Sequence, residues 1–390
     1  LESTRTKNAV KSFEAAIGKA SASLNFKDCL AISVDSAIKL SVNSKDEIRW
    51  QGFLGFYDAD KPDHDWTAVG NAVIRYLEKI PGFGPRSQAL GGKLIEMMLA
   101  NGTVPALGQL LRLTREIKQI DIRKWIESRV EWKAMDMGLQ LSDIEDCCMD
   151  THALVNGQKE LKLPKFGTVV ISINSGKSQA FKKDKKNLLP LETKELKKID
   201  KTAADLLTVE LKSIQSTLKA CTRRLESVWC SNNSWMWEDL QKYWFNHPIA
   251  STLAKNLIWR VQDGKNIRDG LWHNQGLADV KGKPLGKIPP KAKVTLWHPA
   301  YSPDSVDSWR KHILEFQIRQ PFRQAFREIY LATDAERKTV DTSARFAGNI
   351  LKQNQFAALC RERGWYISLV GPFDSYSNAE KTIKPFDLTI

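Results

Sequence analysis

The chain has 390 residues, a net charge of +14, 42 % hydrophobic and 27 % charged residues. That length exceeds one ordinary core, so two or three domains are expected, and the balance is that of a soluble globular class. No apolar run reaches about 18 residues, which excludes a hydropathy-detectable membrane span.

The charge is uneven. Residues 1–150 carry 20 Lys+Arg against 21 Asp+Glu, whereas residues 151–390 carry 39 against 24. The basic excess therefore belongs to the later part and points to an anionic partner, or to a lysine surface that only keeps the chain dispersed. The opening "LESTRTKNAV" has neither a signal layout nor an initiator Met and reads as a trimmed or internal start. The closing "KPFDLTI" breaks off as a strand begins, so a fragment of a larger protein is expected.

The first 150 residues read as helices. "GNAVIRYLEKI" spaces Val73, Leu77 and Ile80 helically, and "PGFGPRS" breaks it. "SQALGGKLIEMMLAN", "TVPALGQLLRLTREI" and "DIRKWIESRVEWKAMDMG" follow, each ended by Gly or a polar turn. Short amphipathic helices joined by Gly/Pro turns suggest HEAT-like pairs. "GTVVISINS" is then a β-branched run, followed by the lysine-rich loop or hairpin "GKSQAFKKDKKN". "INSGKS" tempts towards a phosphate-binding loop, but the GxxxxGK[ST] spacing needs Gly at 171, where Ile171 stands, so ATPase chemistry is rejected. Glu192 to Trp229 reads as a long helix with the stripe Leu207, Leu211, Ile214, Leu218, Cys221 and Leu225. Trp229, Trp235, Trp237, Trp244 and Trp259 then cluster, as core or cap residues.

Two His-Pro steps put His247 and His298 beside helix starts, where the dipole lowers an imidazole pKa. Either is a weak catalytic-base candidate, or simply a capping residue. "SVDSWRKHILEFQIRQPFRQAFREIYL" reads as a helix kinked at Pro321, with Arg319, Arg323 and Arg327 on one face and Gln320 and Gln324 beside them. Guanidinium forks suit phosphate or carboxylate. After the caps Asp341, Thr342 and Ser343, a helix is expected from Ala344 to Arg363, with Phe346, Ile350 and Ala357 inward. It would place Arg345, Asn349 and Gln353 on one outer face. Gly364 is its left-handed stop, and "WYISLVG" a strand. Cys360, with Arg361 and Arg363 near, is a remote candidate for a reactive thiol. The six cysteines show no ligand spacing, so free thiols in a reducing cytoplasm are expected, with neither metal nor cofactor.

The stretches "IEDCCMDTHALVNGQKEL", "RRLESVWCSNNSWMWEDLQKYWFNHPIASTLAKNLIWRV", "TLWHPAYSPDSVDSWRKHILEFQIRQPFRQAFREIYL" and "RFAGNILKQNQFAALCRERGW" resemble the MolR-like family. This is a bacterial domain of unknown function, named for molybdate metabolism regulator and often WGR-associated. Arg319–Phe322, Arg345–Gly348, Gln353–Ala358 and Arg363–Trp365 carry the resemblance, which runs from about 100 to 371. It implies a helical HEAT-like region before the domain, no established enzymatic activity, and a family context of MoxR-type AAA ATPases and von Willebrand A-domain proteins. This chain has no "WGR" tripeptide, and the family's closing α/β portion is mostly missing from it.

The fold expected is mainly α. A HEAT-like helical region over 1–150 is followed by a strand, lysine-rich loop and long helix over 151–230. A MolR-like α+β domain with few strands, truncated at its end, then fills 231–390. The function expected is a non-enzymatic regulatory or scaffold protein. Arg319, Arg323, Arg327, Arg345, Asn349 and Gln353 would recognise nucleic acid or an acidic protein. The alternative is an enzyme on a phosphorylated or nucleic-acid substrate, with His247 or His298 as base.

Overall fold

The computed structural model describes residues 66–80, 84–163, 166–184, 187–231, 233–339, 341–367, 379–383 and 386–390. The chain divides into two compact units, 1–150 and 151–390. Cys29 lies outside the described residues, as does most of the strand expected after Trp365.

The described part of the first unit holds five helices: α1 (Trp66–Leu77), α2 (Gln88–Asn101), α3 (Val104–Glu116), α4 (Ile120–Asp136) and α5 (Leu141–Cys147). A short hairpin, β1 (Lys79–Ile80) and β2 (Gly84–Pro85), separates α1 from α2. Local signals set the ends. Ser87 caps α2 by accepting the Leu90 N–H at 3.2 Å. Gly102, at φ +63°, closes the same helix. Val69, Val73, Leu94, Met98, Leu107, Leu110, Ile126, Val130 and Ile144 are shielded from solvent in one core. Here the HEAT-like expectation is overturned. In a solenoid each repeat touches only its neighbours, but α3 packs against α1, α2, α4 and α5 together. One central helix with others around it buries its leucines without any repeat.

The mainly-α expectation is overturned too, since 48 % of the structure is helix and 21 % strand, with five sheets among the described residues, four of them in the second unit. The first large sheet is an antiparallel meander of β3 (Gln158–Leu163), β4 (Gly167–Asn174), β5 (Lys177–Asp184) and β6 (Asn187–Pro190). Strands β3 and β5 give a weak apolar signal because the exposed residues of "QKELKL" and "KSQAFKKD" are polar or charged: Gln158, Glu160 and Lys162 in the first, Lys177, Gln179, Lys182, Lys183 and Asp184 in the second. Only β4, covered on both faces over Val169–Ile173, reads as an apolar run. The Ser175-Gly176 pair, at φ +50° and +72°, makes the two-residue β4–β5 turn.

The long helix is broken. α6 (Thr193–Ile199) ends at Asp200, whose carboxylate accepts the Ala203 N–H at 3.0 Å and starts α7 (Lys201–Ser231). Ile214, Leu218, Cys221 and Leu225 of α7 are buried. Gln215 accepts the Ser178 N–H at 3.0 Å, tying α7 to β5.

The second sheet is antiparallel, in the order β10 (Gly276–Ala278), β9 (Asn266–His273), β8 (Ile258–Asp263), β11 (Lys293–Leu296), β7 (Trp235–Met236). The tryptophan cluster is its packing: Trp235 meets Trp244 and Trp259 edge-on at 5.9 and 5.7 Å between centroids. Such pairs contribute about 0.5–1.5 kcal/mol each beyond their buried area. Arg260 and Asp269, opposite each other on β8 and β9, form a double ion pair at 2.8 Å. A last helix of this layer, α8 (Val306–Glu315), sets Trp309 and Ile313 against Ile258, Leu271 and Trp297.

Candidate anion-binding cleft

Downstream of α8 the expected kinked helix does not exist. Gln317 adopts φ +50°, and its N–H reaches Leu314 O while the Ile318 N–H reaches Ile313 O at 2.9 Å. That pair of bonds is a Schellman stop, unusual on a residue other than glycine. Residues 318–332 then run without regular secondary structure. Arg319, Arg323 and Arg327 consequently share no helix face.

A buried amide holds this irregular segment. Gln324 is fully shielded from solvent. Its Oε1 accepts the Ile258 N–H at 2.8 Å, and its Nε2 donates to Ile258 O at 2.7 Å and Trp297 O at 3.0 Å. The side chain thus pairs with Ile258 as a neighbouring strand would. Gln320 completes the clasp, donating to Gln324 Oε1 at 2.9 Å and accepting the Ala325 N–H at 3.0 Å. Both amides, expected beside the arginines as ligand contacts, are consumed by the fold.

The clasp leaves Phe322, Arg323, Phe326 and Arg327 facing a cleft of about 640 Å3, lined also by Glu226, His298, Glu328, Tyr330 and Arg363. Arg327 is held in place. It donates to Glu226 at 2.7 Å and lies over the Trp229 ring, 4.4 Å from the centroid. Trp229 Nε1 and Arg327 Nε are buried N–H groups that meet no acceptor among the described residues. Glu328 accepts the Tyr330 hydroxyl. By contrast Arg323 and Arg363 are exposed, and neither guanidinium meets a carboxylate among the described residues.

His298 stands edge-on to Trp229 at 5.0 Å. Burial, and then the Arg327 charge, lower its pKa from the usual imidazole value. Its Nδ1 accepts the Ala300 N–H at 3.1 Å, capping the short turn Pro299–Tyr301. In the neutral ring this leaves the proton on Nε2, so the free nitrogen is a donor and not a base. His247 is further from any chemistry. Its Nδ1 accepts the N–H groups of Ile249 and Ala250, both at 3.1 Å, and it does not line the cleft.

The remaining sequence-derived residues do not join this site. Arg319 reaches Ser175 Oγ at 3.4 Å, at the β4–β5 turn. The helix expected from Ala344 begins only at Gln353, as α9 (Gln353–Glu362), so Arg345, Asn349 and Gln353 share no face. Phe346 and Ile350, expected inward, are exposed; Ala357 is buried. Arg345 donates to Glu336 at 2.7 Å, and Asn349 to Phe346 O at 2.8 Å. Helix α9 ends in a Schellman stop, with Gly364 at φ +70° and the Trp365 N–H on Cys360 O at 2.8 Å. That stop presents Arg363. The sequence offered no signal that Arg363 and Glu226 line the cleft with Arg323, because each comes from a different part of the chain.

Residues 185–365, which include the whole cleft, match the model of a domain of unknown function (DUF4132). No curated protein and no solved structure matches the chain.

Proposed function

We propose that the chain is a non-enzymatic recognition or scaffold protein whose second unit grips an anionic group of a partner. The observation that carries this reading is that two guanidiniums, Arg323 and Arg363, line one cleft and neither is paired with a carboxylate among the described residues, although Glu226 and Glu328 line the cleft as well. Supporting it, the second unit holds 39 Lys+Arg against 24 Asp+Glu. His298 as a donor fits anion binding better than proton abstraction. The MolR-like resemblance, and with it a MoxR-type AAA ATPase as partner, belongs to the same proposal. So does residence in the cytoplasm, in keeping with the five free thiols of the described residues. No helix among the described residues is long and apolar enough to cross a membrane.

The test is binding of the full chain to labelled DNA, RNA and acidic peptides across a salt series. Binding that weakens steeply with salt, and that Arg323→Gln with Arg363→Gln abolishes, is the expected result. Binding indifferent to both substitutions would remove the cleft from the argument.

A further inference from the structure

Arg323 lines two cavities at once. Beside the polar cleft lies a smaller apolar one of about 280 Å3, walled by Ile313, Ile318, Gln320, Phe322, Arg323 and Phe326. Phe322, Arg323 and Phe326 belong to both. A guanidinium without a carboxylate thus stands at the mouth of an apolar hole.

The size of that hole is below the ~300–1,000 Å3 of pockets that enclose a drug-sized ligand. It suits one side chain. Its chemistry narrows the choice further. A nucleobase carries N–H and C=O groups on its edge that need partners when buried. The only amide in the wall is that of Gln320, and its donor and acceptor are already engaged with Gln324 Oε1 and the Ala325 N–H. What remains is two isoleucines and two phenylalanine rings, which suit hydrocarbon.

Resting on the recognition reading above, we propose that this double cavity receives the carboxyl terminus of a partner polypeptide that ends in an apolar residue. The terminal carboxylate takes the guanidiniums of Arg323 and Arg363, with the His298 Nε2–H in the same cleft. The last side chain fills the apolar hole. A chain end that stops at an apolar residue carries its charge and its hydrocarbon on one residue, and so can offer one to each cavity across the Phe322–Arg323–Phe326 wall. Charge complementarity gives orientation and the hole gives selectivity, a known mode of peptide capture.

The experiment passes a pool of randomised hexapeptides with free carboxyl termini over the immobilised full chain. A second pool, identical but amidated at the carboxyl end, is passed in parallel. Expected is retention of the free-acid pool with Leu, Ile, Val, Met or Phe enriched at the last position only, and at least tenfold less retention of the amidated pool. Arg323→Gln, at an exposed position and checked for folding by circular dichroism, is expected to erase the difference between pools. Equal retention of both pools, or no preference at the last position, overturns the proposal. The salt series with oligonucleotides separates the two ideas. Oligonucleotide binding lost in Arg323→Gln, with no peptide selection, leaves anion recognition standing and removes the chain-end ligand. No loss in either assay removes both.

Discussion

The segments 318–330 and 341–352 were read alike from the sequence and behave differently in the fold. The first carries three arginines and two glutamines, the second only Arg345 and Asn349, and each was expected as a helix offering those groups outward. Both are irregular instead. In the first, a buried glutamine does the anchoring, so Arg323 is left unpaired in a cleft. In the second, the arginine itself is the anchor. Arg345 is spent on Glu336 and Leu331 O, and lies over the Tyr330 ring at 5.4 Å. A guanidinium is free for a ligand only where some other group holds the backbone. The presence of an arginine does not tell which case applies.

The sharpest way to break this comparison is Gln324→Leu. It strands the Ile258 N–H and takes the Gln324 bond from the Trp297 carbonyl in a dry core, at about 1–3 kcal/mol for each group left unpaired, while Ile258 O keeps the Trp297 N–H at 3.1 Å. We expect a loss of about 3–5 kcal/mol in urea unfolding, and loss of anion binding with it. Glu226→Gln tests the cleft from the opposite side. It removes the 2.7 Å ion pair of Arg327 at a half-buried site, costing about 1 kcal/mol. It also leaves a third guanidinium unneutralised, so anion affinity measured by anisotropy should rise. Arg345→Ala should loosen 331–346, seen as faster amide hydrogen exchange there, with anion affinity unchanged.

The smallest effect is on pH dependence. The Ser343 hydroxyl, then the Thr333 N–H, lower the Glu336 carboxyl from 4.5 to about 2. The folded chain therefore holds fewer protons than the unfolded chain between those values. The stabilisation is complete above about pH 4.5 and is lost as pH falls towards 2. Urea midpoints across that window should decline more steeply in the wild type than in Glu336→Gln.

Local grammar was legible in the sequence. The Gly364 stop was read directly, because it depends on a few adjacent residues. The capping of short turns by His247 and His298 was one of the two readings their His-Pro steps allowed. What was not legible depends on distant partners. Apolar residues at helical spacing continue from Trp309 to Ile329, but Gln317 leaves the helix and Gln324 finds Ile258 across the sheet. No propensity at Gln324 announces that. The meander was legible only in part for a different reason: β4 is an apolar run and a hairpin was one reading of the lysine-rich stretch after it, whereas β3, with polar residues facing water, and the exposed β6 give no such pattern. For the site, Arg323, Arg327 and His298 were named from local chemistry. Arg363, Glu226 and the phenylalanine wall were not, because only the tertiary fold gathers them.

The glutamine clasp also sets an order of events in folding. Ile258 and Gln324 are 66 residues apart, and the backbone groups that the amide pairs with are in register only once β8 and β11 have joined. Contacts of that separation form late, after the loop between them has closed. The cleft is thus completed among the last steps, and a chain that has its helices and tryptophan cluster but not the clasp would be compact and unable to bind. On the recognition reading proposed above, anion affinity would double as a measure of whether folding has finished.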